Sequence, residues 1–415
     1  MSDTETLWRE WEAARLRAQP ARLPDPATIP PREWLYGARL VCRFVSVLVS
    51  PGGVGKSAYA LAVAVAIATG RPILDETVHR SVPAWVLNLE DPMDELDRRL
   101  AAILMLHRLD PAELRDRLFL HSGRQRRVCM AQLEDGAVIR HPDRAPLIEE
   151  ARARGIGLIV VDPFVKSHGL DENSNPHMDA AATAWAEVAE ATGAAVLLVH
   201  HVRKAQGTGL GPDIDTARGG RALIDAARSA FLLSPMTAEE ADGLSVPGTE
   251  RWRHVRLDDG KANLAPRAER ARWFRLESVA LGNASTDYPA GDQVAALLPW
   301  TPQSVWARLS DADCNAALDR IATGPGRGTL YAPHRRGLGA ERWAGRVLID
   351  QFGLTEQQAA EVIDTWLRTG LLFEAEYRDE AQRKTRRGVR VVDAKRPAPG
   401  APSDATSGFA WKGRS

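Results

Sequence analysis

Short runs rich in Val, Ile, Leu and Ala recur through residues 44–233, and between them apolar positions fall every three or four residues. The first pattern is that of buried strands, the second that of helices with one apolar face. Strands are expected at 44–49, 84–89, 157–161, 195–199 and 230–233, and helices at 57–69, 94–107, 145–154 and 178–191. Asp94 is placed to cap a helix start, and Gly70 and Gly193 to stop helices. Such alternation predicts an α/β fold with a mainly parallel central sheet joined by crossover helices. Runs at 252–257 and 273–276 predict further strands that close the sheet. Each early strand ends in a polar or glycine-rich stretch, where open α/β sheets place their ligands.

The pattern changes twice outside this region. Pro20, Pro24, Pro26, Pro30 and Pro31 prevent helix before residue 34, so residues 1–33 read as an arm leading into a domain over 34–280. Small and turn-forming residues at 281–291 mark a domain boundary. Helices are then expected at 302–309, 311–322, 340–352 and 355–369, followed by a hairpin of 371–377 with 388–392. Helices followed by a hairpin with a basic turn suggest a small winged-helix-like α+β domain over 292–394. Residues 395–415, rich in Pro, Ala, Gly and Ser, are expected to be a disordered tail.

Composition narrows the functional classes. Lys plus Arg and Asp plus Glu each total 54, so the formal net charge is zero. Nucleic-acid contact must therefore come from local basic loops. Cys42, Cys129 and Cys314 are scattered, with no C-x-x-C pair, so neither a disulfide framework nor a zinc site is indicated. A reducing cytoplasm is the expected location. Residues 1–17 lack the order of a secretory signal, and the longest apolar run, 58–69, is too short to span a bilayer, so no membrane is expected.

The sharpest chemical signal is Ser50-Pro51-Gly52-Gly53-Val54-Gly55-Lys56-Ser57-Ala58. Between a strand and a helix N-terminus, glycines let backbone N–H groups turn inward around phosphates. In this P-loop Lys56 would reach the β and γ phosphates and Ser57 would bind Mg²⁺, making ATP and Mg²⁺ the expected cofactors. The pattern's first glycine is Ser50 here, at a position that admits other small residues. A chance glycine-rich turn is the competing explanation.

Later strand ends add to this. Asn88-Leu89-Glu90-Asp91-Pro92 closes the second strand. If that strand lies beside the phosphates, Glu90 can orient and deprotonate the attacking water; otherwise it is an ordinary loop glutamate. Leu158-Ile159-Val160-Val161-Asp162 is a buried strand with an acidic end, as expected of a Walker B aspartate, although an Asp before Pro163 can also cap a helix. The fourth strand delivers His200 and His201, which strand alternation sends to opposite faces. One can report the γ-phosphate state, or the pair is structural; no carboxylate or Cys at ligand spacing supports a metal.

These motifs, with Glu172-Asn173, His200-His201-Val202-Arg203-Lys204, Arg218-Gly219-Gly220-Arg221-Ala222-Leu223 and Gly260-Lys261-Ala262-Asn263, occur in an order that resembles the AAA_25 or RepA-like family. These are RecA-fold ATPases of plasmids and phages, related to hexameric replicative helicases. The resemblance covers residues 30–280 and implies a RecA-like P-loop NTPase core. It implies that Glu90 is the catalytic base, Asp162 the Walker B acid, and one of His200 and His201 the residue coupling nucleotide to DNA. Hexameric members complete each site with a cation from the neighbouring subunit, for which Arg218, Arg228 and Lys261 are candidates. Arg228 is equally readable as a local ion-pair partner and Lys261 as a strand cap.

Two loops fall where RecA-like proteins contact single-stranded DNA, at 166–177 and 202–217. The second carries Arg203 and Lys204 among glycines, suited to tracking phosphates. The run Arg383-Lys384-Thr385-Arg386-Arg387 on a hairpin tip would form a wing on DNA phosphates. Solvated surface charge is the alternative for both. A second basic cluster is Arg124, Arg126 and Arg127. The expected protein is an ATP-driven motor on single-stranded DNA: a homo-hexameric helicase or translocase of a phage, plasmid or mobile element, with a replication initiator or primase as a further partner. An ATP-gated DNA-binding regulator and a small-molecule kinase are the alternatives.

Overall fold

Strands that are apolar on both faces can only lie in the middle of a covered sheet, and here they do. The computed structural model describes residues 18, 20–22, 24–136, 138–202, 221–266, 271–302, 304–326, 328–335, 341–379 and 383–397. Contacts divide the chain into residues 1–33 and residues 34–415. The described part of the first unit holds one short 3-10 turn, Pro26–Thr28, capped by the Asp25 side chain.

The second unit begins with β1 (Trp34–Tyr36), β2 (Leu40–Val41) and β3 (Val45–Pro51), followed by α1 (Lys56–Thr69), β4 (Ala84–Asn88), α2 (Met93–His107) and β5 (Leu118–Ser122). Next come β6 (Gln132–Glu134), β7 (Val138–Arg140), α3 (Arg144–Ala153), β8 (Leu158–Asp162), α4 (Asn175–Thr192) and β9 (Ala195–Val202). Then α5 (Arg221–Ala226), β10 (Ser229–Pro235), α6 (Ala238–Gly243), β11 (His254–Ala262), β12 (Arg272–Ala280) and β13 (Gln293–Trp300) complete the α/β part. The chain ends in α7 (Asp311–Thr323), α8 (Gly345–Phe352), α9 (Glu356–Arg368), β14 (Leu372–Asp379) and β15 (Lys384–Val391).

Nine strands form one sheet in the order β13-β12-β11-β10-β3-β9-β8-β4-β5. From β10 to β5 every neighbouring pair is parallel, whereas β10, β11, β12 and β13 pair antiparallel. This is the large, mostly parallel sheet of a RecA-like core. One apolar layer joins α1 to Leu48, Val86, Leu197 and Val199; the opposite layer joins α4, around the fully buried Trp185, to Val47, Val49, Val161 and Leu198. Helix α1 is buried along nearly its whole length, which is why its sequence is apolar all round. Gly70 and Gly193 stop their helices in the left-handed conformation, as expected.

Several expectations change. Residues 281–291 connect β12 to β13 inside the central sheet, so the chain leaves the sheet only after Trp300. Turn residues there mark a strand connection and not the end of a domain. The helix expected at 302–309 is only a 3-10 turn, Val305–Ala307, because Ser304 caps it and Ser310 starts a new helix with its own capping box. Asp94 lies within the first turn of α2 while Pro92 holds the capping position; there its charge complements the helix dipole.

Helices α7 to α9 and the β14–β15 hairpin enclose their own apolar cluster around Leu318, Leu348, Ile363 and Leu372. Arg308 and Gln358 both donate to the Ser245 hydroxyl just beyond α6, at 2.9 and 2.8 Å, which ties this module to the sheet unit. Among the described residues, no helix is long and apolar enough to cross a membrane.

Candidate nucleotide site

The C-terminal ends of β3, β4, β8 and β9 lie side by side, and each delivers part of one site. After β3 the chain turns through Gly53 and Gly55, at φ +79° and +91°, a conformation L side chains rarely adopt. A Cβ on Gly52 or Gly53 would meet nothing within 4 Å, so open space lies above the loop. A Cβ on Gly55 would come 3.1 Å from Leu276 of β12, which packs against the loop from the antiparallel side. No side chain caps α1, so its first N–H groups are free to meet an anion. Ser50 is fully buried and its hydroxyl donates to the Pro51 carbonyl, so the exchanged glycine leaves no orphaned polar group.

Lys56 is 7 % exposed, and forms no ion pair among the described residues. Burial pushes its pKa down, with Asp162 and Glu90 pulling the other way. A buried ammonium beneath an open, uncapped loop fits the phosphates of a nucleotide. Asp162 ends β8 at 4 % exposure and lines the same small cavity as the Ser57 side chain. Burial raises its pKa, while Ser57 and Lys56 lower it. Two adjacent oxygen donors beside the phosphate cradle suit a hard cation such as Mg²⁺.

Glu90 is exposed on the turn after β4, and Lys56, Asp162 and His201 all feel its charge. The turn is braced from several sides. Asn88 Oδ1 accepts from the Glu90 and Asp91 N–H groups at 3.1 and 2.8 Å, and the Leu89 N–H donates to the Asp162 carbonyl at 2.8 Å. From β5, Ser122 Oγ donates to the Asp91 carbonyl at 2.6 Å and Arg124 Nε to the Glu90 carbonyl at 2.7 Å. A Cβ on Gly123 would lie 2.7 Å from the Leu89 Cα, so β5 can approach this closely only with glycine there.

The histidines separate as strand alternation requires. His201 pairs in register with Ser50 and stands toward Lys56 and Glu90; its pKa is lowered by burial first and then by Lys56. His200 packs on the other face against Phe164, with ring centroids 6.4 Å apart, and burial pushes its pKa down to about 4. Among the described residues no group of three or more His, Cys, Asp or Glu side chains could hold a metal ion.

Other expected residues lie elsewhere. Arg228 and Lys261 sit at the opposite end of the strands, beside the start of β3: the Arg228 N–H donates to the Val45 carbonyl, and Lys261 donates to the carbonyls of Ile224 and Asp225. At about 3.3 Å per residue the length of β3 separates them from the P-loop by about 20 Å, so neither reaches its own chain's site. Arg203, Lys204 and Arg218 lie outside the described residues. The 166–177 loop is tied down by bonds from Met130 N–H to Ser167 and from Gly169 N–H to Ala131. On the β14–β15 hairpin, Arg386 pairs with the buried Asp379 at 3.3 Å and Arg387 with Glu374 at 3.8 Å. Arg383 and Lys384 at its turn are exposed and make no ion pair with described residues.

Sequence reasoning missed Asn88, Ser122, Gly123 and Arg99. The asparagine two residues before Glu90 carried an Asx-turn signal, and Glu95 with Arg99 an i,i+4 helical pair. The bracing from β5 had no local signal. Residues 12–207 match the AAA_25 family model, an AAA domain, and with the loop, both carboxylates and the strand order in place this chain carries an AAA-type P-loop ATPase domain.

Proposed function

We propose that hydrolysis at this site drives movement along single-stranded DNA in a homo-hexameric ring, as a helicase or translocase of a mobile genetic element. The observation that carries the proposal is that one strand, β9, places His201 beside Lys56 and Glu90 and then runs straight into the segment containing Arg203 and Lys204. A change in charge at the γ-phosphate position therefore acts on the strand that leads to the basic stretch. In this scheme Lys56 and the α1 N–H groups bind the phosphates of ATP, Ser57 and Asp162 hold Mg²⁺, and Glu90 takes a proton from the attacking water. Mg²⁺, when bound, would supply positive charge that offsets the negative charge of the phosphates. A cation from the neighbouring subunit completes the site; of the two described candidates, Arg228 is exposed, whereas Lys261 is engaged by helix carbonyls.

ATP turnover measured with and without single-stranded DNA, beside native mass measurement, tests this. Stimulation by DNA and a ring-sized mass are expected. A monomer whose turnover ignores DNA overturns it.

A second reading, favoured by the exposed Arg383 and Lys384, which make no ion pair with described residues, is that the C-terminal module is a winged helix whose DNA binding is gated by ATP without unwinding. It predicts ATP-dependent binding to duplex DNA, lost in the Arg383→Ala/Lys384→Ala variant, and no strand displacement.

A further inference from the structure

We infer that Arg99, on α2, is a positioning residue for the Glu90 turn, holding the base where water attacks through Asp91 and Asn88. The inference deepens the ATPase reading and rests on it. Arg99 Nη1 donates to Asp91 Oδ2 at 2.8 Å, and Nε donates to Glu95 Oε1 at 3.1 Å, which fixes the guanidinium plane against its own helix. The same Asp91 oxygen accepts from Asn88 Nδ2 at 3.1 Å, and Asn88 Oδ1 receives the N–H groups of Glu90 and Asp91. The four residues form one chain of hydrogen bonds that ends on the backbone of Glu90.

The placement is specific. Arg99, Asn88, Ser57 and Asp162 line the same small cavity, so the guanidinium lies beside the pair assigned to Mg²⁺. Arg98, its neighbour in sequence, turns away to Asp94 and Asp292. Removing the Arg99 fork leaves Asp91 with the amide of Asn88 as its only side-chain donor among the described residues, and the turn loses this tie to the body of α2. Geometry at a general base governs the chemical step more than ground-state binding, since small misplacement affects proton transfer while the phosphates stay held by Lys56 and the α1 N–H groups.

The experiment compares ATP hydrolysis and nucleotide affinity of the full chain carrying Arg99→Gln, Arg99→Lys or Arg98→Gln. Arg99→Gln is expected to lower kcat about 10- to 100-fold with ATP affinity changed less than about threefold. Arg99→Lys, which keeps charge but not the planar fork, should recover only part of the loss. Arg98→Gln should match the parent protein. Combining Arg99→Gln with Asp91→Asn should cost little more than either change alone, as expected of residues acting in one chain. Equal losses in affinity and kcat, or an unchanged kcat in Arg99→Gln, overturns the inference. If the parent chain itself does not hydrolyse ATP, the ATPase reading fails instead, and the two failures are distinguished by that control.

Discussion

Two clusters of buried charge pack near α1, and they are built in opposite ways. In one, Arg39 at 5 % exposure bonds to Glu76 and, at 2.9 Å, to Asp259, while Arg272 reaches Glu76 at 3.0 Å. Gly37 is glycine because a Cβ there would strike the Glu76 carboxylate. Every charge in this cluster meets an opposite charge. In the other, Lys56 and Asp162 are as deeply buried, yet no ion pair joins them. A closed cluster stabilises the chain that contains it, whereas an open one holds its field for a ligand and lowers stability until the ligand arrives.

The largest effect that sharpens this contrast lies in the closed cluster. Glu76→Ala leaves Arg272 with no ion-pair partner among the described residues and Arg39 with Asp259 alone, and should cost about 3–5 kcal/mol, seen as a lower denaturant midpoint. Lys56→Ala should behave in reverse: hydrolysis falls about 10²- to 10³-fold, while the unliganded midpoint holds or rises. Asp162→Asn follows the same logic. A carboxyl whose folded pKa is raised contributes stability at pH below its ordinary value and loses it as pH rises through the folded value. At neutral pH, above its ordinary value, the raised pKa of Asp162 therefore weighs against the unliganded fold, and Asp162→Asn should raise its melting temperature while removing hydrolysis. A fall in both melting temperature and activity would erase the distinction between the clusters.

The open cluster was largely legible in the sequence and the closed one was not. P-loop glycines, a β-branched run ending in Asp162 and the Glu90 turn are contiguous signals whose chemistry is local. Arg39, Glu76, Asp259 and Arg272 are far apart in the chain, and only the return of β11 and β12 to the sheet brings them together. Strand β5 was missed because Leu118–Ser122 is short and half-polar, as suits an edge. Residues 293–300, expected within the C-terminal domain and not as a strand, form β13 of the central sheet, because turn residues mark strand connections as readily as domain ends. Sequence periodicity reports which face is buried, but not which distant charge will be waiting there.

The histidines provide a smaller test. His200 and His168 are both pushed down to about 4 by burial, and both ring systems pack against Phe164. Folded values depressed below the ordinary 6.5 mean that the neutral rings contribute stability above that pH, and that it is lost as pH falls toward 4. Each proton taken up on unfolding contributes at most about 1.4 kcal/mol per pH unit across this window. His200→Phe should flatten the decline of stability between pH 6.5 and 4; an unchanged slope would mean that the ring is already solvated.

The smallest effect carries the contrast to the hairpin. Arg386 is closed onto Asp379, which Arg342 also approaches at 3.5 Å, whereas Arg383 and Lys384 are exposed and pair with no described acidic residue. If the tip meets DNA phosphates, Arg383→Ala should reduce the slope of log affinity against log salt by about 1 and weaken binding only a few-fold near physiological salt. Arg386→Ala should change that slope less and unfolding more, because its charge is already matched inside the protein. Equal slopes for the two variants would show that pairing on the hairpin does not decide which cations are available to a partner.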